Sequence, residues 1–122
     1  MAKSAGMACE DLAGLSLPNT TITSAEFTLA GSYGPPGPSQ IVVPVDICWV
    51  VGYVDTEINF GVWMPVAESW NSKFNGVGNG GLAGFINHGA MTDAAERGYA
   101  TASTDTGHVG DPSAVNSARI AF

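Results

Sequence analysis

Basic residues are nearly missing from this 122-residue chain: Lys3, Lys73, Arg97 and Arg119 stand against eleven acidic side chains. A formal net charge of -7 leaves no surface able to follow a phosphate backbone, which argues against nucleic acid and anionic membrane as partners. Charge of either sign is sparse at 12%, so the acidic balance speaks for solubility and identifies no substrate. Long apolar runs are also lacking, and none approaches the roughly eighteen residues of a membrane-spanning helix. Met1–Leu12 has no apolar core of the kind a signal peptide carries. Thiols number two, Cys9 and Cys48, and with only His88 and His108 beside them they do not make a structural zinc site. They either close a large loop, which stabilises a fold by about 4 kcal/mol, or remain two unrelated buried cysteines.

What the chain does have is 45% hydrophobic residues, enough for one globular unit with a modest core, punctuated by sixteen glycines and seven prolines. That spacing predicts strands joined by tight turns. Ala25–Ala30 alternates, with Ala25, Phe27 and Leu29 opposing Glu26, Thr28 and Ala30, and predicts a half-buried strand. A proline-glycine loop follows over Gly31–Gln40. Ile41–Val54 is rich in β-branched residues, and Glu57–Pro65 places Ile58, Phe60, Val62 and Met64 on one face. The short connection Asp55–Thr56 predicts that these two pair antiparallel. From Lys73 the pattern becomes strand (Phe74–Val77), glycine turn, helix ending near Arg97 with Gly98 at the left-handed C′ position, and strand (Tyr99–Ser103). A second helix is predicted from Asp111-Pro112, with Val115, Ala118 and Phe122 on its apolar stripe. An antiparallel pair leading into β-loop-α-β-α predicts an α/β fold whose mixed sheet becomes parallel, with residues 1–122 forming the front of a larger domain.

The glycine segment Gly76-x-Gly78-x-Gly80-Gly81-x-x-Gly84 is the strongest local signal. Glycines there admit positive φ and let backbone amides approach a ligand. A dinucleotide reading would use Asp105 as the acidic residue further on, but the segment lies far from the start of the sheet. An oxyanion hole fits the order of elements, two antiparallel strands, a third strand and then Gly78, Asn79, Gly80 and Gly81. A tight turn without chemistry is the third possibility. Asp105-Thr106-Gly107 resembles the triplet of a homodimeric aspartic protease, although polar Ser103 and Thr104 precede it and His108 follows it. His108 falls at the C-terminal end of a predicted parallel strand, where α/β sites are built, whereas His88 reads as a loop residue. No Gly-x-Ser-x-Gly elbow occurs. Asn19-Thr20-Thr21 is a sequon that could carry a glycan in a eukaryotic secretory pathway.

Several segments together resemble the tannase and feruloyl esterase family. They are Cys9 with Leu12, Leu17–Ala25, Cys48-Trp49-Val50, Phe60–Pro65 and, most specifically, Trp70–Gly81 and Arg97–His108. The resemblance implies an α/β-hydrolase fold, of which residues 1–122 would be the N-terminal portion. It implies a secreted or periplasmic enzyme that cleaves galloyl or feruloyl esters through a serine acyl-enzyme, with Gly80 or Gly81 amides in the oxyanion loop and Asp105 and His108 nearby. It places the catalytic serine, aspartate and histidine beyond residue 122. It also assigns the Cys9–Cys48 pair to the family's first disulfide, and any calcium to a lid domain outside this segment, so no cofactor is expected here. The partner expected is a small phenolic ester, and the segment alone is expected to be inactive and prone to self-association through open sheet edges. Departures from the family pattern are Ser72 for a glycine, Trp49 for an arginine and Gly61 for a glutamate. A non-catalytic binding module is the rival reading.

Overall fold

The computed structural model describes residues 8–32, 41–55, 57–78 and 84–107. A 3-10 helix, Cys9–Gly14, leads to strand β1 (Thr20–Thr28), followed by β2 (Ile47–Val54), β3 (Ile58–Pro65), β4 (Phe74–Gly76), helix α1 (His88–Glu96) and β5 (Ala100–Thr104). The five strands form one sheet in the order β1-β2-β3-β5-β4. The β1–β2, β2–β3 and β3–β5 pairs are antiparallel, and β4–β5 is the one parallel pair of the described sheet. The expected hairpin between β2 and β3 is present, with Asp55 at φ 53 in its turn. The predicted helix from Asp111 lies outside the described residues.

Three expectations change. The first strand begins five residues before Ala25 and pairs antiparallel with β2, so three antiparallel strands precede β4 and the glycine segment follows the fourth strand in chain order, not the third. Its face assignment changes in part: Ala25 is buried and Glu26 exposed as expected, but Phe27 and Leu29 are exposed while Thr28 is buried. Phe27 pairs with Cys48, whose side chain is bridged to the 3-10 helix, and Thr28 pairs with Ile47, which belongs to the core. Alternation identified the two faces but not which one the helix would cover. In β3, Phe60, Val62 and Met64 do share a face, yet the deepest burial is on the other one, at Gly61, Trp63 and Pro65.

Helix α1 explains that choice. Met91 and Ala95 pack with Val43, Ile47, Trp49 and Trp63 in the core, and the small Ala94 is also fully buried. Gly98, at φ +87, ends the helix as predicted. Its N–H donates to Ala95 O at 2.9 Å and that of Tyr99 to Ala94 O at 3.0 Å, a Schellman closure that turns the chain directly into β5. The opposite sheet face is held at one end by the Cys9–Cys48 disulfide, which fastens the 3-10 helix to β2.

His88 is not in a loop. It opens α1, with its ring 5.6 Å from that of Trp49 and stacked 6.1 Å from that of Trp63. Burial there lowers its pKa from the ordinary 6.5. The unfolded chain therefore binds this proton more readily than the folded one. Stability associated with His88 is complete above 6.5 and declines as pH falls through that value towards the depressed folded pKa. Denaturant midpoints should fall between about pH 7.5 and 5.5, and a His88→Phe chain should lose part of that slope. An identical slope in both chains would remove His88 from the account.

Candidate functional site

Because β4 and β5 run parallel, their C-terminal ends lie at the same edge of the sheet, the edge where α/β folds bind ligands. Gly78 leaves β4 there, just after Val77 N–H has donated to Ala102 O at 2.9 Å. Asp105, Thr106 and Gly107 leave β5 at the same edge. The structure thus places Gly78 and Asp105, two of the residues singled out from sequence, at the same ends of adjacent strands. Asn79, Gly80, Gly81 and His108 lie outside the described residues.

Asn87 joins Gly78 to helix α1 and to β5. Its side-chain oxygen accepts from Ala90 N–H at 3.1 Å and so caps α1, while its side-chain nitrogen donates to Gly78 O at 3.0 Å. Its own N–H donates to Ser103 Oγ on β5, also at 3.0 Å. Gly84, buried and at φ +66, lies between Gly78 and this clamp. An asparagine directly before a helical segment is an N-cap signal, the one local sign that marks Asn87.

Asp105 is only 4% exposed. One carboxylate oxygen accepts from Asn59 N–H at 3.1 Å and Gly107 N–H at 3.0 Å, and the other accepts from Asn59 Nδ2 at 2.7 Å. Asp105 N–H in turn donates to Asn59 O at 3.1 Å. The carboxylate therefore fastens the turn after β5 to the start of β3. A buried carboxylate engaged with donors of its own chain is not placed to share a proton across a dimer axis, so the aspartic-protease reading finds no support. Neither Asn59 nor its pairing with Asp105 was visible in sequence, since the two are 46 residues apart.

The opposite, N-terminal ends of β4 and β5 hold a second cluster. Asn71 N–H donates to Gly98 O and Asn71 Nδ2 to Arg97 O, both at 2.9 Å. Lys73 N–H donates to Asn71 Oδ1, and Trp70 Nε1 to Lys73 O, also at 2.9 Å. The motifs Trp70–Gly81 and Arg97–His108 therefore each start in this structural knot and run along one strand, as far as Gly78 and Gly107 among the described residues. Within the knot Ser72 has φ 69, a left-handed conformation unfavourable to a residue bearing a Cβ. Ser72→Gly should raise stability by about 0.5–1 kcal/mol, the relief of strain being offset in part by greater unfolded-state freedom. Urea unfolding would check this, and a loss of stability would contradict the strain account.

Among the described residues no group of three or more His, Cys, Asp or Glu side chains is placed to hold a metal ion. No helix among them is long and apolar enough to cross a membrane.

The mixed sheet with a helix crossing between two parallel strands fits part of a fold of the α/β-hydrolase class, and solved esterases superpose on it, one from Aspergillus oryzae with a TM-score of 0.73 at 26% identity over 84% of this chain. Within that class the chain belongs to the tannase and feruloyl esterase family, whose model matches residues 42–120. An esterase of Xanthomonas campestris pv. campestris is 44% identical over 117 residues, covering 90% of this chain and 20% of that protein. Feruloyl esterase C of Talaromyces stipitatus is 35% identical over 114 residues, covering 84% of this chain and 21% of its own length. The crystal structure of feruloyl esterase B from Aspergillus oryzae superposes with a TM-score of 0.72 at 28% identity, covering 84% of this chain and 22% of that one. The chain thus spans about a fifth of the length of the curated relatives it matches.

Proposed function

We propose that this chain supplies the oxyanion segment of a serine carboxylic ester hydrolase that cleaves galloyl or feruloyl esters. The observation that supports the reading is the position of Gly78, leaving a parallel strand at the sheet edge that Asp105 shares. The family assignment narrows the chemistry to ester cleavage. In this reading a serine oxygen attacks the ester carbonyl carbon, and the carbonyl oxygen takes up the negative charge. Backbone N–H groups of the glycine segment donate to it as the charge develops. The C–O bond to the alcohol then breaks, the alcohol leaves with a proton, and water hydrolyses the acyl-serine. Residues 1–122 contain no Gly-x-Ser-x-Gly segment, and we assign the nucleophile and its base to the part of the relatives' length that this chain does not span. The Cys9–Cys48 disulfide fits a protein that works outside the reducing cytosol.

The test is hydrolysis of methyl ferulate and methyl gallate by the natural polypeptide that carries residues 1–122. The reading expects turnover of at least one ester and its abolition by a serine-directed phosphonate. A folded polypeptide that cleaves neither ester, or whose activity survives the phosphonate, would overturn it.

A further inference from the structure

We propose that Asn87 is a positioning residue for ester cleavage, acting by fixing the entry to the glycine segment rather than by touching substrate. The inference rests on the function proposed above and adds to it the side chain that orients the segment. Three bonds meet at this one residue, and each goes to a different element. The side-chain nitrogen reaches Gly78 O at the exit of β4, the side-chain oxygen receives Ala90 N–H in the first turn of α1, and the backbone N–H reaches Ser103 Oγ on β5. The amide orientation is determined by its partners, since a carbonyl on one side needs a donor and an N–H on the other needs an acceptor.

The bond to Gly78 O has a consequence for chemistry. A peptide unit is planar, so holding the carbonyl of Gly78 sets the plane of the peptide that leaves it. Oxyanion donors stabilise a transition state only when they are oriented before charge develops, and a small misplacement costs rate more than binding. Glycine, which adopts many backbone conformations, gives no such orientation by itself. Ser103 is fully enclosed beneath α1, with 2% of its surface exposed, so the anchor on the sheet side is rigid. Gly78, where the chain enters the segment, is therefore tied to the folded core through Asn87.

The two functions of the side chain can be separated. Aspartate and serine cap helices about as well as asparagine, but neither presents an N–H donor in place of Nδ2. Asn87→Asp and Asn87→Ser should therefore keep α1 and lose the bond to Gly78. In the natural polypeptide carrying residues 1–122, both variants should lower kcat on methyl ferulate or methyl gallate about tenfold or more, with KM changed less than about twofold. Hydrogen exchange should quicken in peptides spanning residues 78–87 and stay unchanged in the second half of α1 and in β5. Unchanged kcat in both variants would overturn the proposal, as would faster exchange without a fall in kcat. A fall in kcat accompanied by lost protection throughout α1 would also overturn it, by reducing Asn87 to a helix cap. If the unmodified polypeptide cleaves no ester, the failure belongs to the proposed function. The exchange comparison then still decides the clamp: unchanged exchange at 78–87 refutes it.

Discussion

Replacing Gly98 with alanine should destabilise the chain by about 3 kcal/mol, combining left-handed backbone strain with a steric clash. Two independent costs meet at this position. Gly98 has φ +87, which a residue with a Cβ resists by about 1–2 kcal/mol. The added carbon would also stand 2.8 Å from Ser69 O and 3.3 Å from Asn71 Cβ, both in the knot that joins β4 to the α1–β5 turn. Ser69 O is backbone, so it can yield only if the segment moves. That movement would strain the bond from Asn71 N–H to Gly98 O and the Schellman closure of α1. Chemical denaturation of the two chains would measure the effect, and a loss below about 1 kcal/mol would show that the knot can shift at little cost. The same displacement would pass along β4 and β5 to the site at their other ends, because both strands leave the knot directly.

Reducing the disulfide should cost about 4 kcal/mol, the chain-entropy value for a loop closed across 39 positions. The 3-10 helix has no buried residue of its own, and the bond from Phe27 N–H to Glu10 Oε2 is long at 3.3 Å. The covalent bridge therefore fastens to β2 a helix that otherwise packs on β1 without burying a residue of its own. A Cys9→Ser/Cys48→Ser chain should unfold at a denaturant concentration close to that of the reduced parent, and both should lie well below the oxidised one. Hydrogen exchange should show the 3-10 helix losing protection before β2, β3 and β5. If oxidised and reduced chains unfold within about 1 kcal/mol of each other, the loop entropy is already spent by structure in the denatured state.

Much of the local architecture was legible in the residues because it is built from short-range signals. Turn chemistry at Asp55, the helix stop at Gly98 and the short strand after Lys73 all depend on neighbours within a few positions. The motifs Trp70–Gly81 and Arg97–His108 carried the family, and the matching of residues 42–120 to the tannase and feruloyl esterase model agrees with them. The place of Gly78 after a strand was also readable. The pairing of Cys9 with Cys48 followed from family resemblance and not from counting thiols, which had left two alternatives.

The tertiary structure decided which side of each strand is inside. Period-two alternation divides a strand into two faces with equal claims, and only the docking of α1 chose Trp49 and Trp63 over Phe27 and Leu29. It likewise took His88 out of a loop and set it against two indole rings, because aromatic contacts join residues far apart in the chain. Asp105 changed from a candidate acid into the anchor of a turn once Asn59, 46 residues away, was beside it. Asn87 became visible only when β4, α1 and β5 converged on it. The sequence by itself determined most of the strands, the end of α1, the family and the glycine segment, all set by contiguous residues. Their roles required the fold, because a hydrogen bond between distant positions leaves no periodic or local trace in one chain.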